Sequence, residues 1–392
     1  MKQILAITGM NIRTILQRSG ASIVIIIGIA GSVAVMVSLL AMAEGLSKTI
    51  ASTGQEDRAL IFREGSNSEM SSGIAMTDLA IIENTQGIKK SEDGPMIAAE
   101  IFTIIDLKKK GAVDTSNLPL RGVQEMSFKI RPELKIIEGK NFFPGKGEII
   151  VGKGAANEYE GLELGNKIKI RDSEWTVVGI FSTGGDVHES EIWADLAVTQ
   201  GAFRRGASAS IAIVQMEENA SITDLGATLE LDPRLDLKVQ GEVDFYEEQS
   251  SGASSLIQAF GYAVAVIMAI GAVFAALNTM YSAVSTRLVE IGTLRAVGFH
   301  GSSVLFALMI ESMFLALLGG LLGAGLSYLI FNGYTVSTLA SVSFTQTAFD
   351  FAVTGEIIGQ GLILALIVGF LGGVLPARRA ATQDITEALR AI

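Results

Sequence analysis

The fold is decided by a charge-free stretch near the N-terminus, Gly20-Ala-Ser-Ile-Val-Ile-Ile-Ile-Gly-Ile-Ala-Gly-Ser-Val-Ala-Val-Met-Val-Ser-Leu-Leu-Ala-Met-Ala43. Arg18 and Glu44 are the nearest charged residues on either side. Because a membrane-spanning helix needs about 20 mostly apolar residues, this stretch predicts a first transmembrane helix over 20–43. Ala41-Met42-Ala43 also matches a signal-peptide cleavage site, but the apolar run is longer than the core of a signal peptide, which favours a retained anchor.

Three further stretches are long and apolar enough to span a bilayer. The second predicted span is 255–281, within a charge-free segment, and the third is 303–331, which contains one carboxylate, Glu311. The fourth is 357–375. Secondary transporters usually have more spans, arranged as paired repeats with interrupted helices, so the sequence disfavours that class.

Charge is concentrated in the segment between the first two spans. The 392-residue chain is 49% hydrophobic and 18% charged, with a mean hydropathy of +0.44, whereas soluble domains are about one-quarter charged. Residues 44–254 contain 22 Lys/Arg and 35 Asp/Glu, a net charge of −13, and the rest of the chain has a net charge of +2, which together give −11. This distribution predicts one acidic soluble domain over 44–254 and argues against a nucleic-acid partner. The chain has no cysteine, which excludes disulfides and thiolate chemistry.

The basic residues outside the acidic domain predict the orientation of the spans. They are Lys2, Arg13, Arg18, Arg287, Arg295, Arg378, Arg379 and Arg390. All of them fall in 1–19, 282–302 and 376–392, and none falls in 332–356. Cytoplasmic loops are enriched in Lys and Arg, so we expect both termini and 282–302 to be cytoplasmic and 332–356 to be a short extracytoplasmic loop. Residues 1–19 are expected to form an amphipathic helix on membrane lipid.

Strands and short helices alternate irregularly in the acidic domain, which predicts an α+β fold. The expected strands are Leu60–Arg63, Met96–Leu107, Glu148–Val151, Lys167–Ile170, Trp175–Phe181 and Ser210–Met216, and the expected helices are Thr77–Asn84, Ala155–Tyr159, Ala197–Arg204 and Ser221–Glu230. A segment at about 120–205 could form a lobe inserted into the remainder. The predicted fold class is therefore a polytopic α-helical membrane protein with four transmembrane helices (1+3) and a large α+β extracytoplasmic domain between the first and second.

Two motifs in this domain suggest chemistry but are better explained structurally. Gly147-Glu-Ile-Ile-Val-Gly152-Lys153-Gly154 resembles a phosphate-binding loop without its final hydroxyl, and we interpret it as a strand followed by a turn. His188-Glu-Ser-Glu191 with Asp186 and Asp195 could bind a metal, but the other histidine, His300, is expected on the opposite side of the membrane. Zinc sites usually need several His or Cys ligands, so a hydrated acidic loop is expected.

Glu311 in the third span has two interpretations. An ionisable residue within a membrane segment can belong to an ion pathway. Its position close to the cytoplasmic end of the span favours a carboxylate that faces the helix bundle or the interface.

The segment after the second span predicts a short amphipathic helix. Arg287 and Glu290 are i,i+3 neighbours, which can pair on a helix, and Ile291, Leu294 and Val297 would share an apolar stripe, with Gly298 closing the helix. Such a helix could rest on lipid headgroups, or it could dock into a groove of a cytoplasmic partner.

This segment, Arg287-x-x-Glu290-Ile291-Gly292-x-Leu294-Arg295-Ala296-x-Gly298, resembles the coupling segment of the MacB/LolC/FtsX-type ABC transporter permeases. Residues 310–320 resemble the third span of that family, and 375–381 with 387–390 resemble its C-terminal signature. Residues 147–152, 164–168 and 177–180 resemble the second lobe of its periplasmic domain. The resemblance covers essentially the whole chain, including the 1+3 arrangement.

The resemblance implies a function and a set of partners. It implies a non-catalytic permease subunit in a bacterial inner membrane, paired with a second permease chain and with a dimer of ABC ATPase subunits that bind ATP and Mg²⁺. No Walker A loop is seen here, so the ATPase is expected to be a separate chain, and a periplasmic adaptor is a further possible partner. The residues expected to couple to the ATPase are Arg287, Glu290, Ile291, Gly292, Leu294, Arg295 and Gly298, and the tail motif is Pro376, Ala377, Arg378 and Arg379.

The resemblance also implies mechanotransmission, in which ATPase closure moves the external domain to drive export, efflux or lipoprotein release. An FtsX-like signalling protein that controls an extracytoplasmic partner is the alternative. The cargo, and whether the two permease chains are identical, stay open.

Overall fold

The computed structural model describes residues 2–14, 19–339 and 346–390. The chain forms two compact units. The helical unit comprises Met1–Gly45, Ser255–Tyr334 and Phe351–Ile392, and the sheet unit comprises Leu46–Ser254 and Thr335–Asp350. The boundary at 254/255 coincides with the end predicted for the acidic domain.

The helices, in chain order, are α1 Lys2–Thr14, α2 Ser19–Ala51, α3 Met76–Ile82, α4 Glu125–Ile130, α5 Lys153–Glu158, α6 Leu196–Ala202, α7 Ile222–Glu230, α8 Glu242–Ser285, α9 Leu288–Ala296, α10 Gly301–Phe331, α11 Gly355–Thr382 and α12 Ile385–Arg390. The strands are β1 Arg58–Arg63, β2 Ile74–Ala75, β3 Lys90–Ser91, β4 Gly94–Pro95, β5 Ile97–Lys108, β6 Thr115–Val123, β7 Lys135–Gly139, β8 Glu148–Gly152, β9 Lys167–Ile170, β10 Ser173–Ser182, β11 Ile192–Asp195, β12 Ser208–Ala209, β13 Ile211–Gln215, β14 Leu237–Gly241, β15 Thr335–Leu339 and β16 Gln346–Asp350.

Helices α2, α8, α10 and α11 are long and apolar enough to cross a membrane, which confirms the four predicted spans. All four extend beyond the predicted limits, α10 by only two residues. Helix α8 begins at Glu242, and α11 continues through Pro376 to Thr382. A helix is ended by capping and breaking residues rather than by the edge of the hydrocarbon layer, so hydropathy marks the membrane-embedded portion and leaves the helix ends undefined. The C-terminal segment predicted to be cytoplasmic, 376–392, therefore begins inside α11.

Small residues allow the helices of the helical unit to approach closely. A β-carbon at Gly319 of α10 would lie 2.9 Å from the carbonyl oxygen of Ile26 on α2, and one at Gly373 of α11 would lie 2.7 Å from Cβ of Ser312 on α10. The hydroxyl of Ser312 also donates a 2.6 Å hydrogen bond to the carbonyl of Gly369. Gly319 and Gly373 therefore lie at helix contacts.

The sheet unit is built on a ten-stranded sheet in the order β14-β1-β13-β5-β6-β11-β8-β10-β7, with β9 paired to β10. Pairs β8–β10 and β6–β11 are parallel, and the other pairings of this sheet are antiparallel. Residues 115–195 supply six of the ten strands, and the β5–β6 ladder joins them to the other four. The segment predicted as an inserted lobe therefore shares a sheet with the rest of the domain.

The predicted short loop 332–356 contains a hairpin. Strands β15 and β16 pair antiparallel in the register Thr335↔Asp350 to Leu339↔Gln346, and they belong to the sheet unit. The amide of Ala348 donates a 3.0 Å hydrogen bond to the hydroxyl of Ser190. The predicted loop therefore contributes a pair of strands to the sheet unit.

Candidate functional site

Helix α9 forms where the sequence predicted a short coupling helix. Its N-cap is Arg287, and it closes at Gly298, whose φ of 103° is a left-handed conformation that glycine adopts at little cost. The predicted i,i+3 pair is present, with Arg287 Nε 3.6 Å from a Glu290 carboxylate oxygen. The predicted apolar stripe is only partly confirmed: Ile291 is buried, Leu294 is half-buried, and Val297 is exposed.

The inner face of α9 packs into an apolar cluster of the helical unit. Its buried members are Ile7, Val284, Ile291, Val304, Ala307, Leu308, Ala377 and Ala380. These residues come from α1, α8, α9, α10 and α11. The predicted coupling residues Ile291 and Gly292 are both buried in α9. They therefore hold α9 against the bundle and are not available to a partner.

Arg287 lies in the interior, although the sequence predicted a residue that contacts the ATPase. It is 4% exposed. Its Nη1 lies 3.1 Å from a Glu311 carboxylate oxygen, and its Nη2 donates a 3.1 Å hydrogen bond to Oδ1 of Asn11. Direct contact between Arg287 and a partner is therefore not supported, because its guanidinium is enclosed by the protein. The expectation that Glu311 faces the helix bundle is confirmed.

The C-terminal segment fixes the end of α9. Helix α12 packs against α9, and the Arg295 guanidinium donates a hydrogen bond to the carbonyl of Gln383. In the tail motif, Pro376 and Ala377 are buried, whereas Arg378 and Arg379 are exposed, and the Arg379 guanidinium lies 5.8 Å from the centre of the Tyr281 ring. The tail motif therefore has a packed face and a basic face.

The outer face of α9 and its C-terminal turn are not covered by the rest of the chain. The exposed residues are Val289, Glu290, Thr293, Ala296 and Val297. Val297 is 76% exposed and Val289 is 43% exposed. Val289, Ala296 and Val297 place apolar side chains on this exposed side of the helix beside the Glu290 carboxylate, and we call this surface the α9 face.

The sheet unit contains a buried ionic cluster that the sequence did not reveal. Arg121 pairs with Glu69 at 2.6 Å, with Glu191 at 2.8 Å and with Glu100 at 3.0 Å, and Arg131 pairs with Glu100 at 2.5 Å. Burial alone would raise the pKa of Glu100, but the two neighbouring guanidinium groups outweigh burial and lower it to about 2. The cluster therefore holds its charges in the interior by pairing them.

The expected hydrated acidic loop around His188 is wrong. Asp186, His188 and Glu191 are buried, and the His188 amide donates a 2.9 Å hydrogen bond to Asp186 Oδ1. Burial opposes protonation of the imidazole, but the Asp186 carboxylate outweighs it and raises the pKa of His188. Within residues 2–14, 19–339 and 346–390, no group of three or more His, Cys, Asp or Glu side chains could hold a metal.

The near match to a phosphate loop also has a structural explanation. Residues 148–152 form β8, and α5 begins at Lys153. The amide of Gly152 donates a 2.9 Å hydrogen bond to the carbonyl of Glu191. A β-carbon at Gly152 would collide with the backbone of Glu189, so glycine is needed there for packing. The predicted strand is confirmed, and a short helix follows it.

Four spanning helices, a large α+β domain after the first of them and a short helix between the second and third define a 1+3 membrane permease. The MacB-like periplasmic core domain matches residues 22–231, and the FtsX-like permease C-terminal domain matches residues 262–385. The chain therefore belongs to the MacB/FtsX-type family of ABC transporter permeases.

Two relatives that align over nearly all of this chain agree with this assignment. An uncharacterized ABC transporter permease from Methanocaldococcus jannaschii is 24% identical over 96% of this chain and 96% of its own length. The macrolide export ATP-binding/permease protein MacB of Hahella chejuensis is 24% identical over 98% of this chain, which spans 58% of that longer relative. The crystal structure of the periplasmic region of MacB from Actinobacillus actinomycetemcomitans aligns with 13% identity and a TM-score of 0.37, covering 50% of this chain and 92% of that one.

Proposed function

We propose that this chain is the transmembrane subunit through which ATP hydrolysis in a separate ABC ATPase moves the extracytoplasmic domain to drive export. The observation that supports this best is the α9 face, which presents exposed apolar residues on a short helix between two spanning helices. The Hahella relative is named a macrolide export protein, which favours export as the direction of transport. Mechanotransmission is the proposed mechanism.

The α9 face has the geometry of a helix that docks into a groove. Val289, Thr293 and Ala296 are spaced three or four residues apart, so they project from one side of the helix. Val297 extends this apolar surface at the C-terminal end, and Glu290 adds one carboxylate that is well exposed. An apolar strip with a charged neighbour suits recognition of a hydrophobic groove that has a basic rim.

A docking helix can transmit movement only if it is firmly attached to the spanning helices. Ile291 anchors the inner face of α9 in the apolar cluster, and Arg295 anchors its last turn to Gln383. Only the segment between Ser285 and Leu288 separates α8 from α9. Helix α8 itself continues from the helical unit into residues of the sheet unit, because the boundary at 254/255 lies within it. A displacement of α9 would therefore be passed to a helix that the two units share.

The partners follow from the same proposal. ATP and Mg²⁺ would be bound by the ATPase chains, and this chain would supply no catalytic residue. Two permease chains, identical or different, would assemble with two ATPases in a bacterial inner membrane, with both termini and α9 in the cytoplasm. A periplasmic adaptor would contact the extracytoplasmic domain.

The test is to purify the tagged full-length chain from its native membranes and to identify a co-purifying ABC ATPase by mass spectrometry. Val297→Asp should reduce the recovered ATPase strongly, because it places a charge on the apolar part of the α9 face. Val113→Asp is the matched control, because Val113 is also an exposed valine but lies in the sheet unit. Equal recovery of an ABC ATPase with both variants would contradict the proposal.

Glu290 and Arg295 test the charged part of the surface. Glu290→Gln should lower ATPase binding or stimulated turnover without unfolding the chain, because its side chain is 58% exposed. Arg295→Ala should also release the α12 contact made through Gln383. If both variants bind the ATPase and stimulate it as the parent does, these two residues do not belong to the coupling surface.

A further inference from the structure

Three helices of the helical unit meet at one buried ion pair. Arg287 caps the N-terminus of α9, Glu311 lies in α10, and Asn11 lies in α1. The guanidinium reaches Glu311 at 3.1 and 3.4 Å through Nη1, and Asn11 at 3.1 Å through Nη2. Arg287, Glu311 and Asn11 are 4%, 8% and 4% exposed.

The pair lies more than two helical turns inside α10. Glu311 is ten residues after Gly301, the first residue of α10, which is about 15 Å along a helix. Burying charges there is costly unless they are paired with good geometry. A pair of hydrophobic side chains would fill the same space at less cost, so the retained charges need an explanation beyond packing.

The chemistry of arginine supplies that explanation. The guanidinium is a planar group with donors at fixed angles, so partners on two different helices restrict its orientation. Because Arg287 is the N-cap of α9, restricting its side chain also restricts the direction of α9. The apolar contacts of Ile291 lack this directionality, because hydrophobic packing depends mainly on buried area.

We propose that Arg287 and Glu311 are positioning residues that convert a displacement of α9 into a displacement of α10, with Asn11 extending the connection to α1. This inference rests on the proposed function, in which an ATPase moves α9. It assigns to Arg287 a role inside the permease and leaves contact with the ATPase to the α9 face. The pair acts on the efficiency of coupling and not on ATPase binding.

The experiment uses the full-length chain in lipid nanodiscs with the ABC ATPase that co-purifies with it. Because the chain has no cysteine, spin labels can be placed at Val289→Cys and Phe306→Cys, which lie at exposed positions of α9 and α10. Pulsed electron paramagnetic resonance without the ATPase then reports the distance distribution between the two helices. Unlabelled chains are used for ATPase binding and stimulated turnover.

The decisive variant is the double substitution R287M/E311M. Single removal of Glu311 leaves a buried guanidinium and lowers stability, whereas the double substitution removes both charges and should restore the thermal stability of the parent. We nevertheless expect a broader label distance distribution and a stimulated ATPase rate about tenfold lower, within the usual range of coupling between sites. ATPase binding should stay within about twofold of the parent.

Two further variants keep the test informative. Arg287→Lys retains the charge but loses the fork that reaches both partners, so it should fold, bind the ATPase and show reduced stimulation. Ser312→Ala is the matched control, because it removes a buried hydrogen bond between α10 and α11 next to Glu311 without touching α9. It should leave the distance distribution and the stimulation unchanged.

The outcomes separate the two proposals. If R287M/E311M keeps the parent's α9–α10 label distances and stimulated ATPase rate, the pair only fills space. The same conclusion follows if Arg287→Lys stimulates the ATPase as the parent does. Broadened distances with unchanged turnover would equally overturn the positioning role. If no ABC ATPase binds the parent chain, the proposed function fails, and the inference fails with it whatever the distances show.

Discussion

Replacing Glu100 with glutamine should destabilise the sheet unit by about 3 kcal/mol at neutral pH. Glu100 is fully buried and faces two guanidinium groups, with Arg131 Nη1 at 2.5 Å and Arg121 Nη1 at 3.0 Å. Glutamine keeps the shape of the side chain and one acceptor, but it removes the negative charge. Arg131 would then lose its closest ion-pair partner in the interior.

The magnitude follows from the pKa of Glu100. It is lowered from 4.5 to about 2, and a tenfold change in acidity corresponds to about 1.4 kcal/mol. Folding therefore favours the ionised form by about 3 kcal/mol. Removal of one partner from a buried ion pair costs about 3–5 kcal/mol in other proteins, and glutamine belongs at the lower end because it still accepts a hydrogen bond.

The assay uses the two tryptophans of the chain, Trp175 and Trp193, which both lie in the sheet unit. Trp193 donates a 2.7 Å hydrogen bond to Glu191, a member of the same ionic cluster. Urea unfolding of the full chain in non-ionic micelles, followed by tryptophan fluorescence, therefore reports this unit selectively. The matched control is Glu174→Gln, whose side chain is 70% exposed and pairs with Lys167 at 3.3 Å; an exposed pair of this kind contributes about 0–1 kcal/mol.

The reasoning is refuted if Glu100→Gln changes the free energy of unfolding no more than Glu174→Gln does. The pH dependence gives a second check. Because the folded pKa is lowered, the contribution of Glu100 is complete above the unfolded pKa of about 4.5 and is lost as the pH falls through about 2. The difference between parent and variant should therefore be constant at neutral pH and shrink below about pH 4.5.

Two other predictions use the same preparation. Gly323→Ala should destabilise the helical unit by about 1–3 kcal/mol, because the added carbon would lie 3.0 Å or less from the carbonyl oxygen and Cα of Ala30. Gly325→Ala is the control and should be tolerated, because no atom lies within 4 Å of the added carbon. Equal melting temperatures of the two variants in size-exclusion assays would contradict this prediction. The pKa of His188 is raised, because the Asp186 carboxylate outweighs the effect of burial. The protonated imidazole therefore stabilises the parent below about pH 6.5, and this contribution is lost as the pH rises through the folded pKa. His188→Gln should remove this fall in the free energy of unfolding above about pH 6.5. A parent profile that matches that of the variant between neutral and alkaline pH would contradict this assignment.

Much of the sheet could be predicted because most of its strands have the residues that strands favour. Strand β9 was predicted at its exact limits, and β1, β5, β8, β10 and β13 were found within two residues of theirs. Strand β6 was missed because Pro119, Arg121 and Gly122 argue against a central strand. It is nevertheless central, between β5 and β11. Its arginine is tolerated there because Glu69, Glu100 and Glu191 surround it.

In the segment 287–298, local features were predicted correctly, whereas the burial of individual side chains was not. Its helical form, its Arg287–Glu290 pair and its glycine stop follow from local spacing and were found as predicted. Which of its residues face outward depends on neighbours that are distant in the chain, so local spacing did not reveal that Arg287 is buried. Val297 was expected on the packed stripe and is exposed.

The sequence by itself determined the four spans and the separation of an acidic domain from an apolar bundle. These properties are local, because a bilayer requires about 20 consecutive apolar residues and excludes unpaired charge. Only the tertiary structure decided which charges are buried. Arg287 meets Glu311 24 residues further along the chain and Asn11 at a separation of 276 residues. The free energy of a buried charge depends on the partners that folding brings to it, and this arrangement cannot be seen in the local order of residues.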